Sequence, residues 1–212
     1  MVYRNGKNME NFCKVGKLEE KIVNNVSRYD VCRGEKSIEK LRYDLTLIYP
    51  ERFGEELPRT AGHYHTKGQC ELFEVISGKK ALFFIQRYEN NPQIIKETYL
   101  IEAGEKEKVI ILPNFSITSI NPEKNKELLL SNWINIDVKN EYEYFKNLGG
   151  CYLIKEINNS IEFEKNKNYE KIPELILLKP KKFPAELKNL DFLNNPGKYK
   201  KFLTIKNCYR KI

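Results

Sequence analysis

From Leu41 to Ile136 the chain is a succession of short β-type runs, each stopped by a proline, a glycine or a polar turn. Arg42 to Tyr49 alternates as a strand does and stops at Pro50. Phe73 to Ile76 and Lys80 to Gln86 are joined across Ser77-Gly78. Ile94 to Ile101 meets the turn Glu102-Ala103-Gly104-Glu105, Val109 to Leu112 runs into Pro113, Ile117 to Asn121 leads out to Pro122, and Glu127 to Ile136 follows. Runs this short do not make stable helices, and six or more of them at nearly regular intervals specify an all-β sandwich or barrel. One more hairpin is predicted from Cys151 to Ile157 and Ile161 to Glu164, turning at Asn158-Asn159-Ser160.

Outside these runs the pattern changes. Leu18, Ile22, Val23 and Val26 fall on one face of a helix over Leu18 to Val26. Lys179-Pro180-Lys181-Lys182-Phe183-Pro184 reads as a linker, and Pro184 is placed to start a short helix. The expected organisation is a segment 1–40 packing on the barrel, a barrel over 41–178, and a basic C-terminal extension over 179–212. That extension reads as a cover over the barrel or a neighbouring subunit.

The net charge of +8 permits anionic ligands. Lysine is also the commonest way to solvate a surface, so no nucleic-acid partner is inferred. The five cysteines are odd in number and irregularly spaced, with no Cys-x-x-Cys pair. They read as free thiols in a reducing compartment. Met1 to Lys7 lacks the apolar core of a signal peptide, and no run approaches the ~20 residues of a membrane span. A cytoplasmic protein without a membrane partner is expected.

Both histidines of the chain, His63 and His65, lie in the run Ala61-Gly62-His63-Tyr64-His65, with Glu71 six positions on. On a strand, residues two apart project from the same face, so two imidazoles reach one point. A carboxylate returning on a neighbouring strand completes one face of a divalent-metal shell. Cys70 precedes Glu71 and faces the other way, as a small buried apolar residue.

With these residues placed, Leu41 to about Ile172 resembles the cupin-type glucose-6-phosphate isomerases. The resemblance is carried by Thr46, Gly54-Glu55-Glu56, Thr60-Ala61-Gly62-His63-Tyr64-His65-Thr66-Lys67 and Glu71-Leu72-Phe73. It implies a cupin double-stranded β-helix, a jelly-roll barrel with peripheral helices. It also implies one divalent metal ion (Fe, Mn, Zn, Ni or Co) on His63, His65 and Glu71, and interconversion of glucose 6-phosphate and fructose 6-phosphate. Glu71 is the position for the carboxylate that moves the proton. Thr46, Thr60 and Gly62 are the positions for phosphate contacts, and Tyr144 stands near the family's late tyrosine, with Tyr142 and Tyr29 as further pocket tyrosines. A phosphorylated sugar as partner and a homodimer follow from the same resemblance.

Two positions depart from the family pattern. In Leu112-Pro113-Asn114-Phe115-Ser116-Ile117-Thr118-Ser119-Ile120-Asn121, Ile117 stands where the family's fourth ligand is a histidine, and a slip of one residue would offer Thr118 instead. Phe73 replaces a tyrosine. Glu56 reads equally as a solvated turn carboxylate or a site residue. The alternative function is a relative with impaired chemistry that binds a phosphorylated sugar; an Fe(II) oxygenase on the same three ligands is a third reading.

Overall fold

Short polar turns let the chain cross repeatedly between two sheets that face each other. The computed structural model describes residues 3–4, 7–8, 12–23, 27–52 and 54–212. After the small pair β1 (Tyr3–Arg4) and β2 (Lys7–Asn8) come β3 (Lys17–Val23), β4 (Ser27–Ile38), β5 (Leu41–Ile48), β6 (His63–His65), β7 (Glu71–Ser77), β8 (Lys80–Tyr88), β9 (Ile95–Gly104), β10 (Lys108–Ile111), β11 (Ser116–Ile120), β12 (Leu128–Asn135) and β13 (Asn140–Glu141). Helix α1 (Glu143–Leu148) leads to the hairpin β14 (Tyr152–Ile157) and β15 (Ser160–Lys165). The C-terminal part holds β16 (Ile176–Pro180), α2 (Asp191–Asn194), α3 (Ile205–Cys208) and β17 (Tyr209–Lys211).

One sheet has the order β10-β7-β12-β5-β4-β3 and the other β13-β6-β11-β8-β9-β16-β17. From β5 to β13 the chain passes back and forth between them, which is the winding of a double-stranded β-helix. Alternation assigns the faces. On β8, Ala81, Phe83 and Ile85 join the core between the sheets, while Leu82 and Phe84 belong to a second cluster with Cys151, Tyr152, Ile154 and Tyr169. The β14–β15 side of the molecule therefore covers the outer face of the second sheet. Among the described residues no helix is long and apolar enough to cross a membrane.

The helix expected over Leu18 to Val26 is a strand as far as Val23, and 24–26 lie outside the described residues. Its apolar spacing found no core to face: Leu18 is 38% and Ile22 73% exposed. Hydrogen bonding along the twelve-residue β4, from Lys17 opposite Arg33 to Val23 opposite Ser27, decides the conformation instead.

The cysteines are also not all free. Cys13 and Cys32 form a disulfide with their Cα atoms 5.4 Å apart, leaving Cys70, Cys151 and Cys208 as buried thiols. The turn ahead of β3 carries Cys13 against β4, and it is tight. A Cβ on Gly16 would lie 2.6 Å from both Cys32 Sγ and Arg33 O. Glu35 Oε2 caps this turn by accepting from the backbone N–H of Lys14, Val15 and Gly16 at 3.0, 3.0 and 3.1 Å, bonds that hold its pKa below the ordinary carboxylate value.

Lys179 and Pro180, expected in a linker, instead close β16, which pairs in parallel with β9 and antiparallel with β17. One 3-10 turn, Ala185–Leu187, follows Pro184. Phe192 and Leu193 are fully buried in the main core, and the buried Tyr209 hydroxyl donates to Ile110 O.

Candidate metal centre and pocket

Strand β6 is three residues long and is held on both sides. His63 pairs with Ile117 of β11 and His65 with Asn140 of β13. The two imidazoles share the inner face, with ring centroids 5.2 Å apart. Tyr64 points to the opposite face, among Tyr88, Tyr144 and Phe145. Glu71 opens β7, opposite Ile111, and lies 4% exposed.

His63, His65 and Glu71 each present a donor atom within 4.8 Å of the others. His65 Nε2 and Glu71 Oε2 approach to 3.2 Å, yet both are buried and neither has a hydrogen-bond partner. Metal–ligand bonds of about 2.0–2.2 Å place adjacent donor atoms roughly 3.0–3.5 Å apart, so this spacing suits two ligands of one ion. His63 Nδ1 faces the Ala61 carbonyl at 3.4 Å and must be the protonated nitrogen there, which leaves Nε2 with its lone pair. Burial, with a smaller contribution from His65, pushes the His63 imidazole down to about 3, so it is neutral and able to coordinate. Buried donors that lack partners inside the protein but suit a divalent cation are what such a centre requires. Among the described residues one other such grouping exists, Cys13, Cys32 and Glu35, and the disulfide occupies both its sulfurs.

The pocket over these donors is lined by Thr46, Thr60, Phe73, Ile117 and Tyr142, with Arg33, Arg42, Asp44 and Asn132 on the wall made by β4, β5 and β12. Ile117 is 1% exposed, sits beside His63 in register and lines the pocket. The one-residue slip is excluded: Thr118 pairs with Phe84 and lines a different cavity. Asn121 pins a turn, its amide donating to Ile48 O and Lys126 O at 3.0 and 2.9 Å.

Thr46 and Thr60 reach the pocket, and Thr60 Oγ1 also accepts from the Ser119 N–H at 3.0 Å. Gly62 does not line it. A Cβ there would stand 2.0 Å from the Phe145 ring and 2.6 Å from Thr118 Oγ1, so the glycine lets α1 pack against the approach to β6. Tyr144 lies on the other side of β6 against Tyr64 and Tyr88, because the chain turns into α1 after Tyr142 and changes phase. The tyrosines at the pocket are Tyr142, whose ring lies 5.1 Å from that of His63, and Tyr29, whose hydroxyl accepts from the Ala61 N–H at 3.3 Å. Burial pushes the Tyr29 phenol up to about 12. Glu56 pairs with Arg59 at 3.1 Å on the rim of a larger cavity of about 320 Å³. That cavity lies between α1, β14 and the outer face of the second sheet, and holds none of the three donors.

Sequence reasoning missed the polar wall. Asp44 is 1% exposed and takes Arg42 Nε and Nη2 at 2.8 and 2.9 Å, Arg33 Nη1 at 3.3 Å and the Gly34 N–H at 2.8 Å. Asn132 Nδ2 donates to Glu71 Oε1 at 2.6 Å. A signal existed, since Asp44 is in phase with Thr46 and Ile48, and Asn132 with Leu130 and Ile134. A polar residue at an inward phase of a strand marks either a pocket or a buried network.

The family profile for glucose-6-phosphate isomerase (GPI) matches residues 4–173. No curated protein sequence matches the chain. Among solved structures it is similar to vicilin from Corylus avellana (hazelnut), with 11% identity and a TM-score of 0.40 over 59% of this chain and 34% of that one. It is similar also to vicilin from Solanum lycopersicum (tomato), with 10% identity and a TM-score of 0.41 over 58% and 34%. A third is protein SO0799 from Shewanella oneidensis, with 14% identity and a TM-score of 0.39 over 64% and 80%. The chain spans about a third of the length of the two vicilins.

Proposed function

Because the chain belongs to the cupin-type glucose-6-phosphate isomerase family, we propose that it interconverts glucose 6-phosphate and fructose 6-phosphate with one divalent metal ion held by His63, His65 and Glu71. The observation that carries this reading is the pair of buried donors, His65 Nε2 and Glu71 Oε2, 3.2 Å apart and without hydrogen-bond partners. A bound divalent ion would polarise the sugar oxygens at C1 and C2 and stabilise the negative charge that develops on them.

The chain's own groups supply the rest. Asp44 and Glu71 are the carboxylates lining the pocket among the described residues. Asp44 is consumed by two guanidinium groups and a backbone N–H. On this reading Glu71, at the family's position for it, takes the proton from C2 and returns it to C1 through an oxygen lone pair not used by the ion or by Asn132. Thr46 and Thr60 offer hydroxyls to the phosphate, and Arg33 and Arg42 on the same wall favour an anion there. The Tyr142 ring beside His63 and the buried aromatic Phe73 form the apolar part of the pocket lining.

Ile117 supports a second reading, a pocket that binds a phosphorylated sugar without turning it over, since an alkyl group replaces a nitrogen ligand beside His63. A coupled assay of fructose 6-phosphate conversion separates the two, run on chelator-stripped protein with and without added divalent metal. Metal-dependent turnover establishes the isomerase. Absent turnover, with a sugar-phosphate analogue still raising the melting temperature, establishes the binding protein.

A further inference from the structure

We infer that Asn132 is a positioning residue that fixes Glu71 as a one-oxygen ligand, a role that rests on the metal reading above. Asn132 stands on β12 opposite Phe73 of β7 and Asp44 of β5, and is 5% exposed. Its amide donates to Glu71 Oε1 at 2.6 Å, a short, charge-assisted bond. The terminal torsion of a glutamate is broad and two-fold, so a Glu71 with both oxygens free would turn either or both toward the histidines. With Oε1 held on β12, Oε2 alone faces His65 Nε2 at 3.2 Å. The neighbouring inward positions on β12, Leu130 and Ile134, are apolar, so the amide is the one inward polar group between them and its donor is spent on this carboxylate.

A purely stabilising role is distinguishable, because it would act on the metal-free fold and leave metal binding untouched. Asn132→Leu keeps the approximate volume and deletes the donor. Chelator-stripped wild type and variant are titrated with Co²⁺, following the visible absorption band, and the melting temperature of each metal-free protein is recorded. Wild type should take up one Co²⁺ per chain. The variant should bind it about 10- to 100-fold more weakly, with an altered band as Glu71 is released to use both oxygens. An unchanged dissociation constant and band would overturn the role, even with a lowered metal-free melting temperature.

Wild type that takes up no cobalt would bring down the metal reading together with this one, whereas equal uptake by both proteins brings down only the role of Asn132. Should the variant fail to fold, infrared difference spectra of unmodified protein, metal-loaded minus metal-free, test the same point. The metal-sensitive carboxylate should show the wide splitting of one-oxygen ligation. A narrow, chelate-type splitting would mean that Oε1 has left Asn132, and would refute the inference.

Discussion

Replacing Ile117 by histidine tests the site at its point of departure from the family pattern. Ile117 is 1% exposed and lies in register beside His63. Removing a buried isoleucine side chain forfeits about 1.5–3 kcal/mol of apolar burial. An imidazole nitrogen left without a partner adds about 1–3 kcal/mol. Metal-free Ile117→His should therefore be less stable than wild type by about 3–5 kcal/mol. For a chain of this size that is a fall in melting temperature of about 10 °C, at roughly 2–4 °C per kcal/mol.

Metal should reverse much of the loss, because on the proposed site the new nitrogen would face the same ion as His63 and His65. At a metal concentration one hundred times its dissociation constant, ligation returns about 2.7 kcal/mol. The assay is a pair of melting curves for each protein, in chelator and in excess Zn²⁺ or Co²⁺, with metal content measured after dialysis. The metal-induced rise should be larger for Ile117→His than for wild type, and the retained metal greater. If the variant melts with wild type in chelator, or gains no more from metal, Ile117 does not face the histidine pair and the assigned register of β11 is refuted.

Replacing Glu71 by glutamine should lower kcat by about 10²- to 10⁴-fold while leaving the far-ultraviolet circular dichroism unchanged; full activity would remove Glu71 from the chemistry. Thiol titration of unreduced, denatured protein should find three reactive cysteines, Cys70, Cys151 and Cys208, and five only after reduction. Five before reduction would show that Cys13 and Cys32 are unpaired in the compartment of origin. The Asp191 carboxyl is held down at about 2, from an ordinary 3.8, chiefly by the Tyr199 hydroxyl, then by Asn195 and Lys198. A depressed carboxyl contributes stability above its unfolded value and loses it as pH falls through the folded one. Cleavage by pepsin around α2 should accordingly rise between about pH 4 and 2, and Asp191→Asn should flatten that dependence.

The barrel was legible because its strands obey period two and end at turn residues. The runs read from Lys80 to Gln86 and from Glu127 to Ile136 are β8 (Lys80–Tyr88) and β12 (Leu128–Asn135). The same periodicity explains why His63 and His65 were correctly placed on one face. Strand β3 was illegible because it is a charged edge with exposed Leu18 and Ile22, where pairing and not burial decides conformation. The disulfide was hidden for a related reason, since Cys13 meets Cys32 only because the turn ahead of β3 carries it back against β4. Tyr142 replaced Tyr144 at the pocket because the start of α1 shifts the side-chain phase, which spacing alone does not locate. Asn132 needed a partner on a strand distant in sequence, Glu71 of β7, whereas Asp44 takes its partners from its own strand and from the neighbouring β4.

The pairing of β16 with β9 also bears on how the molecule is made. During synthesis β9 emerges early, with Tyr99, Leu100 and Ile101 beside an open sheet edge that Ile176, Leu177 and Leu178 fill only much later. Such late, non-local closure makes folding slow and leaves an aggregation-prone edge on the ribosome-bound chain. Expression should therefore respond sharply to translation rate and to chaperones over the last part of the chain. A truncation before residue 176 should collect in inclusion bodies even though every candidate metal ligand is already present.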